Sequence, residues 1–423
     1  MELQNTSNKN LEEAAADNHR QLFCKGTIMN GGEVYSQNGL TYTYTSHAFE
    51  ASVAFPSMHA STAGEQLDAM MDYYRKHKAQ NVGCWSLAPP QPADLGIQLL
   101  ARGFQPGWQP CWMACDLKTI GTDDNIPEGV IIKPDNHVSL SHIKDLPYNQ
   151  EQGYLSPALL QTHPEQAQRL IAIWNGTIVG QCCIFFTTGK HGVAGIYNVG
   201  VVPAMRNRGI GKAIVSAACM LAKEREYEYA TLNANHMGRP VYEKAGFVFI
   251  SYGMTWWLMN ERYFTDPDAA DTIKLAEAVG RGDMAALNIV GPFFSSAGLS
   301  KPLVNGMTLM QLAVECGQPH SGEWLIDHGV SYTALDAWDF KWKDKAMDLL
   351  ARNPGEVNRL YYSWNGTLMH IAAQRNDIAL AQVALSAGVD LTILDTDYHS
   401  NALGWAIHFN RPEIMKLIQE KIE

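Results

Sequence analysis

The stretch Val201-Val202-Pro203-Ala204-Met205-Arg206-Asn207-Arg208-Gly209-Ile210-Gly211-Lys212-Ala213 decides how this chain folds. It leaves an apolar run, turns at Pro203 and enters an amphipathic segment through a basic loop with two glycines. Such a loop exposes the unpaired N–H groups of a helix N-terminus, and these, with the helix dipole behind them, suit a pyrophosphate. Gly209 and Gly211 let the backbone approach phosphate oxygens, while Arg206, Arg208 and Lys212 add positive charge. Two other phosphate loops are excluded. A dinucleotide fingerprint needs a glycine where Ile214 stands, and a P-loop needs Ser or Thr where Ala213 stands.

Outward from this loop the pattern is mixed α/β. Strand-like runs occupy 170–174, 178–186 and 193–202, the first two separated by the turn signal Asn175-Gly176. A helix is expected over 211–226, a strand near 229–233, a helix near 240–245 and a strand over 248–259. Asn235 and the segment Tyr242-Glu243-Lys244-Ala245-Gly246-Phe247 follow, with Tyr242 31 residues after Gly211.

Loop and segment together resemble the GNAT acetyltransferases, whose acetyl-CoA loop reads Arg/Gln-x-x-Gly-x-Gly/Ala. Arg206-Asn207-Arg208-Gly209-Ile210-Gly211 matches every position. The resemblance implies acetyl-CoA as cosubstrate, held by Arg206, Asn207, Arg208, Gly209, Ile210, Gly211, Lys212 and Asn235. It implies direct transfer to an amine, with Tyr242 protonating the departing thiolate. Backbone N–H groups around Val199 and Val201 would polarise the thioester carbonyl. The general base stays open. The strand over 196–202 holds no Asp or Glu, only Tyr197 and Asn198 as polar members. Asp145, Glu151, Glu33 and Glu50 are candidates for the acceptor groove, with His142, His191 or a water relay as alternatives.

The first section echoes the second. Gly103-Phe104 can be laid on Gly246-Phe247, and each pair precedes a Trp-containing stretch, Cys111-Trp112-Met113 or Trp256-Trp257-Leu258-Met259. Yet the first section has no phosphate loop between residues 30 and 87, and Leu99 stands in the place of Tyr242. Its expected role is to wall an acceptor groove. This arrangement resembles bacterial tandem-GNAT self-resistance enzymes of the paenilamicin and zwittermicin types over about residues 10–260. That likeness implies a cationic amine acceptor and antibiotic inactivation.

The last third reads as helical repeats. Asn305-Gly306-Met307-Thr308-Leu309-Met310 matches Asn365-Gly366-Thr367-Leu368-Met369-His370, and Asn401 begins a weaker copy 34 residues after Thr367. Thr367-Leu368-Met369-His370-Ile371-Ala372 resembles the ankyrin turn-and-helix start, and glycines such as Gly329 and Gly388 close the units. Such a stack implies a protein partner or pairing of two copies.

Composition bounds the rest. A chain of 423 residues, 46% hydrophobic and 18% charged, is too long for one core. Net charge is −11, of which residues 263–423 carry −8, from 12 Lys+Arg against 20 Asp+Glu. That balance disfavours nucleic acid and favours a cationic partner. The polar first twenty residues and the lack of an ~18–20-residue apolar run imply no signal peptide, no membrane span and a cytoplasmic protein. Eight scattered cysteines complete no zinc pattern, so neither metal nor disulfide is expected. The expected architecture is α+β: tandem GNAT-like lobes at 1–125 and 126–262, each a mixed central sheet with flanking helices, then an all-α ankyrin-repeat stack at 263–423.

Overall fold

The β-branched and aromatic runs of the first 260 residues form twelve strands in one sheet. They are β1 (Glu33–Gln37), β2 (Leu40–Tyr44), β3 (Ala51–Ala54), β4 (Val82–Leu87), β5 (Gln105–Pro106) and β6 (Cys111–Asp116). After these come β7 (Val130–Pro134), β8 (Ala167–Trp174), β9 (Thr177–Phe186), β10 (Ala194–Val201), β11 (Tyr229–Ala234) and β12 (Val248–Leu258). Seven helices accompany them: α1 (Asn8–Met29), α2 (Ala60–His77), α3 (Leu95–Ala101), α4 (Pro157–Thr162), α5 (Ile210–Glu224), α6 (Arg239–Lys244) and α7 (Arg262–Thr265). The computed structural model describes residues 7–46, 51–121, 126–150, 153–235 and 237–422.

The strand order β1-β2-β3-β4-β12-β6-β11-β10-β9-β8-β7 revises the picture of two separate lobes. Each half contains a parallel pair, β3 with β4 and β10 with β11. The strand that extends each pair comes from the other half. Residues 111–116 of β6 pair with β11, and residues 253–258 of β12 pair with β4. The first turns of β12 return to β6, and β5 lies along the second part of β12. This reciprocal exchange makes residues 1–125 and 126–262 parts of one compact unit, which runs to Asp268. The expected boundary at 262 moves accordingly. Tyr263 of α7 is buried and its hydroxyl donates to the carbonyl of Ala79, tying 262–265 to the first unit.

Helices cover the two faces differently. Ile210, Ala213, Ile214, Ala218 and Ala222 form the buried stripe of α5, at the spacing of one helical face, and join the core with Cys182, Ile196 and Leu232. On the opposite face lies α1, fixed by the fully buried Asn18. The Asn18 Nδ2 donates to the carbonyls of Phe185 (3.0 Å) and Val193 (3.2 Å) and to Thr187 Oγ1 (3.1 Å). Its Oδ1 accepts from the Tyr197 hydroxyl at 2.6 Å. Gly195 lies under Asn18, and a side chain there would collide with it.

Next to Asn18 is His19, 6% exposed, whose imidazole burial pushes down to about 3. Unfolded, this group binds a proton below its ordinary value near 6.5; folded, it resists until about 3. The unfolded state therefore holds more protons throughout that window, and the stabilisation present above pH 6.5 is lost as pH falls. At about 1.4 kcal/mol per pH unit, His19 costs about 2–3 kcal/mol by pH 4.5. Denaturant unfolding at pH 7.5 and 4.5 should show that loss. His19→Gln should be less stable at pH 7.5 but lose less over the same interval; equal losses would contradict the buried, neutral imidazole.

The second unit, Ala269–Glu423, is helical. Its described residues form five helix pairs: Ala270–Arg281 with Met284–Val290, Leu309–Glu315 with Pro319–Asp327, and Ala334–Asp339 with Lys343–Arg352, then Leu368–Arg375 with Ile378–Ser386 and Ala402–His408 with Pro412–Ile422. Thr308, Thr333 and Thr367 start three of the leading helices with reciprocal caps to Gln311, Asp336 and His370. Asn401 caps a fourth through the Gly404 N–H. Gly329 (φ 83°) and Gly388 (φ 84°) follow two of the trailing helices in the left-handed conformation that ends a helix. Among the described residues no helix is long and apolar enough to cross a membrane.

Candidate active site

The site grows from two irregularities in β10. First, β10 and β11 are paired only from Ala194/Ala230 to Ile196/Leu232, so the parallel pair comes apart beyond those residues. Second, Tyr197 opposes Cys183 and the next paired residue, Gly200, opposes Gln181. Two residues on β10 therefore face one on β9. This β-bulge takes Asn198, at φ 51°, and Val199 out of the ladder. Their backbone groups are released where the strands part.

The basic loop follows directly. The Val202 N–H donates to the Val179 carbonyl (2.9 Å), and a 3-10 turn over Pro203–Met205 redirects the chain. The Arg206 Nε donates back to the Val201 carbonyl at 3.2 Å, so this arginine braces the loop. Asn207 (φ 61°) and Gly209 (φ 81°) are left-handed, and α5 starts at Ile210. This geometry turns the free N–H groups of the first helical turn outward, with Arg208 exposed beside them. The helix N-terminus, left-handed Gly209 and exposed Arg208 have the chemistry to receive the pyrophosphate arm of acetyl-CoA.

Asn235 and Tyr242 are brought together by one turn. The Asn235 Oδ1 accepts from the Gly238 N–H (2.7 Å), and the Asn235 carbonyl accepts from the Arg239 N–H (2.9 Å), which sets the entry to α6. Tyr242 then lies half-buried against the core under α5, its ring 6.3 Å edge-on to Phe247. A side chain at Gly238 would come within 2.8 Å of the Tyr242 ring. Burial chiefly, then Cys182 and Tyr148 nearby, raises the phenol above its ordinary value. Cys182, the β9 residue facing the bulge, and Tyr242 belong to the same core under α5. No hydrogen bond holds the Tyr242 hydroxyl among the described residues. The phenol keeps its proton at neutral pH, as a proton donor must.

The structure also supplies residues that the sequence did not single out. Gln181, fully buried on β9, donates through Nε2 to the carbonyls of Pro147 (2.8 Å) and Tyr148 (2.7 Å). Pro147 rests on Gly200, where any Cβ would come within 2.9 Å of the Pro147 Cβ. Together these pin the 139–150 loop against the bulge and hold Tyr148, at φ 58°, beside Tyr242. No motif marks Gln181 or Tyr148, because both act through contacts distant in sequence.

The acceptor-groove candidates separate. Asp145 and His142 are exposed on the pinned loop, and Asn198 is in the bulge itself. Glu33 does not belong to the groove. It stands on the edge strand β1, seven strand positions from β10, where the Tyr35 and Tyr73 hydroxyls donate to it at 2.5 and 2.9 Å. Those two bonds account for it as a surface carboxylate. Glu50 and Glu151 lie outside the described residues. His191 is half-buried, its Nδ1 without a hydrogen-bond partner among the described residues. Among the described residues no group of three His, Cys, Asp or Glu is placed to hold a metal ion.

With this geometry in place, comparison with known proteins becomes specific. Residues 137–247 match the Acetyltransferase (GNAT) family. The matched segment spans the pinned loop, the bulge, the basic loop and Tyr242. Over 76 residues the chain is 33% identical to the glucosamine 6-phosphate N-acetyltransferase of Trypanosoma brucei brucei. That alignment covers 17% of this chain and 52% of the relative, so the chain spans about half the length of this curated relative. Among solved structures, a GCN5-related N-acetyltransferase from Kribbella flavida is similar at 14% identity and TM-score 0.45, over 58% of this chain and 95% of that one. A tandem GNAT protein from the clavulanic acid biosynthesis pathway aligns at 14% identity and TM-score 0.42, over 61% and 96%.

Proposed function

We propose that the protein is an acetyl-CoA-dependent N-acetyltransferase that acts on a primary amine of a cationic small molecule. The observation that carries this reading is that the β10 bulge, the basic loop and the α5 N-terminus follow one another directly, with Tyr242 packed against the core under α5. Arg208, Gly209, Gly211 and Lys212 would hold the cosubstrate, and acetyl-CoA supplies the reactive thioester when bound. The N–H groups of Asn198 and Val199, outside the ladder, would be available to stabilise an oxyanion. Tyr242 holds the proton for a leaving thiolate. The named activity of the trypanosomal relative, on the amine of a compact sugar, supports a small-molecule acceptor. Inactivation of an antibiotic in the cytoplasm, as a self-resistance function, is the biological use we attach to it.

The acidic helix pairs favour a second reading. If they are ankyrin-type repeats, they would recruit a basic protein acceptor. Thiol release from acetyl-CoA, followed with a panel of small amines on the full chain, tests the first reading. Amine-dependent thiol release with a singly acetylated product supports it. Acetyl-CoA binding without turnover of any small amine would shift the weight to the protein acceptor.

A further inference from the structure

On the α1 face of the sheet, four buried polar atoms have no hydrogen-bond partner among the described residues: His19 Nδ1, Trp112 Nε1, Asn233 Oδ1 and Ser251 Oγ. They form one cluster. Asn233 of β11 and Ser251 of β12 are the register partners of Trp112 on its two sides, so the three side chains stand in a row. The His19 ring lies 5.6 Å from that of Trp112. Buried polar groups are nearly always paired, and each orphan costs about 1–3 kcal/mol. Three in a row with His19 beside them, His19 6% and Trp112 2% exposed, call for a partner that brings its own polar groups.

The location says which partner. Tyr197 and Asn233 are the first residues beyond the last β10–β11 pair, Ile196 with Leu232, and thus flank the point where the strands part. Tyr197 points toward α1, as its bond to Asn18 requires. The cluster therefore lies beside the strand parting, on the face opposite α5. The remaining wall is aromatic, with Trp85 and Tyr197 at 4.9 and 5.2 Å from His19. Trp108, 41% exposed and 5.6 Å edge-on to Trp85, extends that surface to solvent.

We propose that this cluster is the seat of the acceptor, and that it takes a single amine carried on a flat apolar or aromatic group. Asn233 Oδ1 and Ser251 Oγ accept from N–H groups, and the ring faces attract an ammonium and cover a flat apolar body. A polycation would need carboxylates here, and two of the candidates among the described residues are engaged elsewhere. Asp17, two residues before His19, is turned to Arg20 and Gln21. Glu33 is held on the far edge strand. Burial keeps His19 uncharged near neutrality, so it does not repel an ammonium.

This inference rests on the acetyl-transfer reading, and its test separates the two. Calorimetry first measures acetyl-CoA binding to the full chain; absence of binding would defeat the underlying reading. Thiol release is then compared for 2-phenylethylamine and spermidine in the wild type, Asn233→Leu and the milder Ser251→Ala. We expect 2-phenylethylamine to be favoured at least about tenfold in kcat/KM. Its KM should rise by about tenfold in Asn233→Leu and by about threefold in Ser251→Ala, with acetyl-CoA affinity unchanged. Preference for spermidine, no turnover of 2-phenylethylamine despite acetyl-CoA binding, or wild-type KM in both variants would overturn the proposal.

Discussion

Tyr242→Phe is expected to lower kcat by about 10²- to 10⁴-fold, the usual contribution of a positioned proton donor. The substitution removes only the hydroxyl, which makes no hydrogen bond among the described residues, while the ring keeps its place against Phe247 and the core. Acetyl-CoA affinity and folding stability should therefore stay close to wild type. Stopped assays of thiol release give kcat, and calorimetry gives the affinity. A variant with wild-type kcat would reduce Tyr242 to a packing role. A variant that loses cosubstrate affinity in step with kcat would make it a binding residue. The phenol's raised value also predicts that the wild type shows no loss of rate from tyrosine ionisation up to about pH 10.

The second large effect is expected at Gly209. Space is not the constraint there, because a Cβ would meet only the Pro127 Cγ at 3.5 Å, an ordinary contact. Conformation is the constraint, since Gly209 sits at φ 81° and ψ −7° immediately before α5. A β-branched side chain in that region costs about 1–3 kcal/mol, and the loop is free to relieve it by turning its N–H groups away. Gly209→Val should therefore raise the KM for acetyl-CoA by about 10- to 100-fold, at about 1.4 kcal/mol per tenfold. Gly209→Asn should stay within a few-fold, because Asn tolerates the left-handed region. Steady-state kinetics at saturating amine distinguishes the two. Equal damage from both substitutions would mean that crowding, rather than backbone conformation, governs the loop.

The sequence alone determined the parts of the site whose chemistry is local. A strand, a basic glycine loop and a helix N-terminus fall within a dozen residues, so the candidate anion loop from Arg206 to Lys212 needed no partner element to be read. The Asn175-Gly176 turn and the helix start at Thr367 are equally local.

Tertiary structure decided what depends on register and on long-range contact. Glu33 looked like a groove acid because sequence gives a carboxylate no address; the sheet order puts it on the opposite edge. Gln181 and Tyr148 meet across 33 residues, and Asn18 meets Tyr197 across 179. No periodicity encodes such pairs. The echo between Gly103-Phe104 and Gly246-Phe247 hinted at two related halves, and both glycines do adopt positive φ, at 101° and 91°. The exchange of β6 and β12 between those halves was not legible. A strand's alternation fixes which face it buries but not which neighbour it pairs with, and here the hydrogen-bond ladder alone makes that choice.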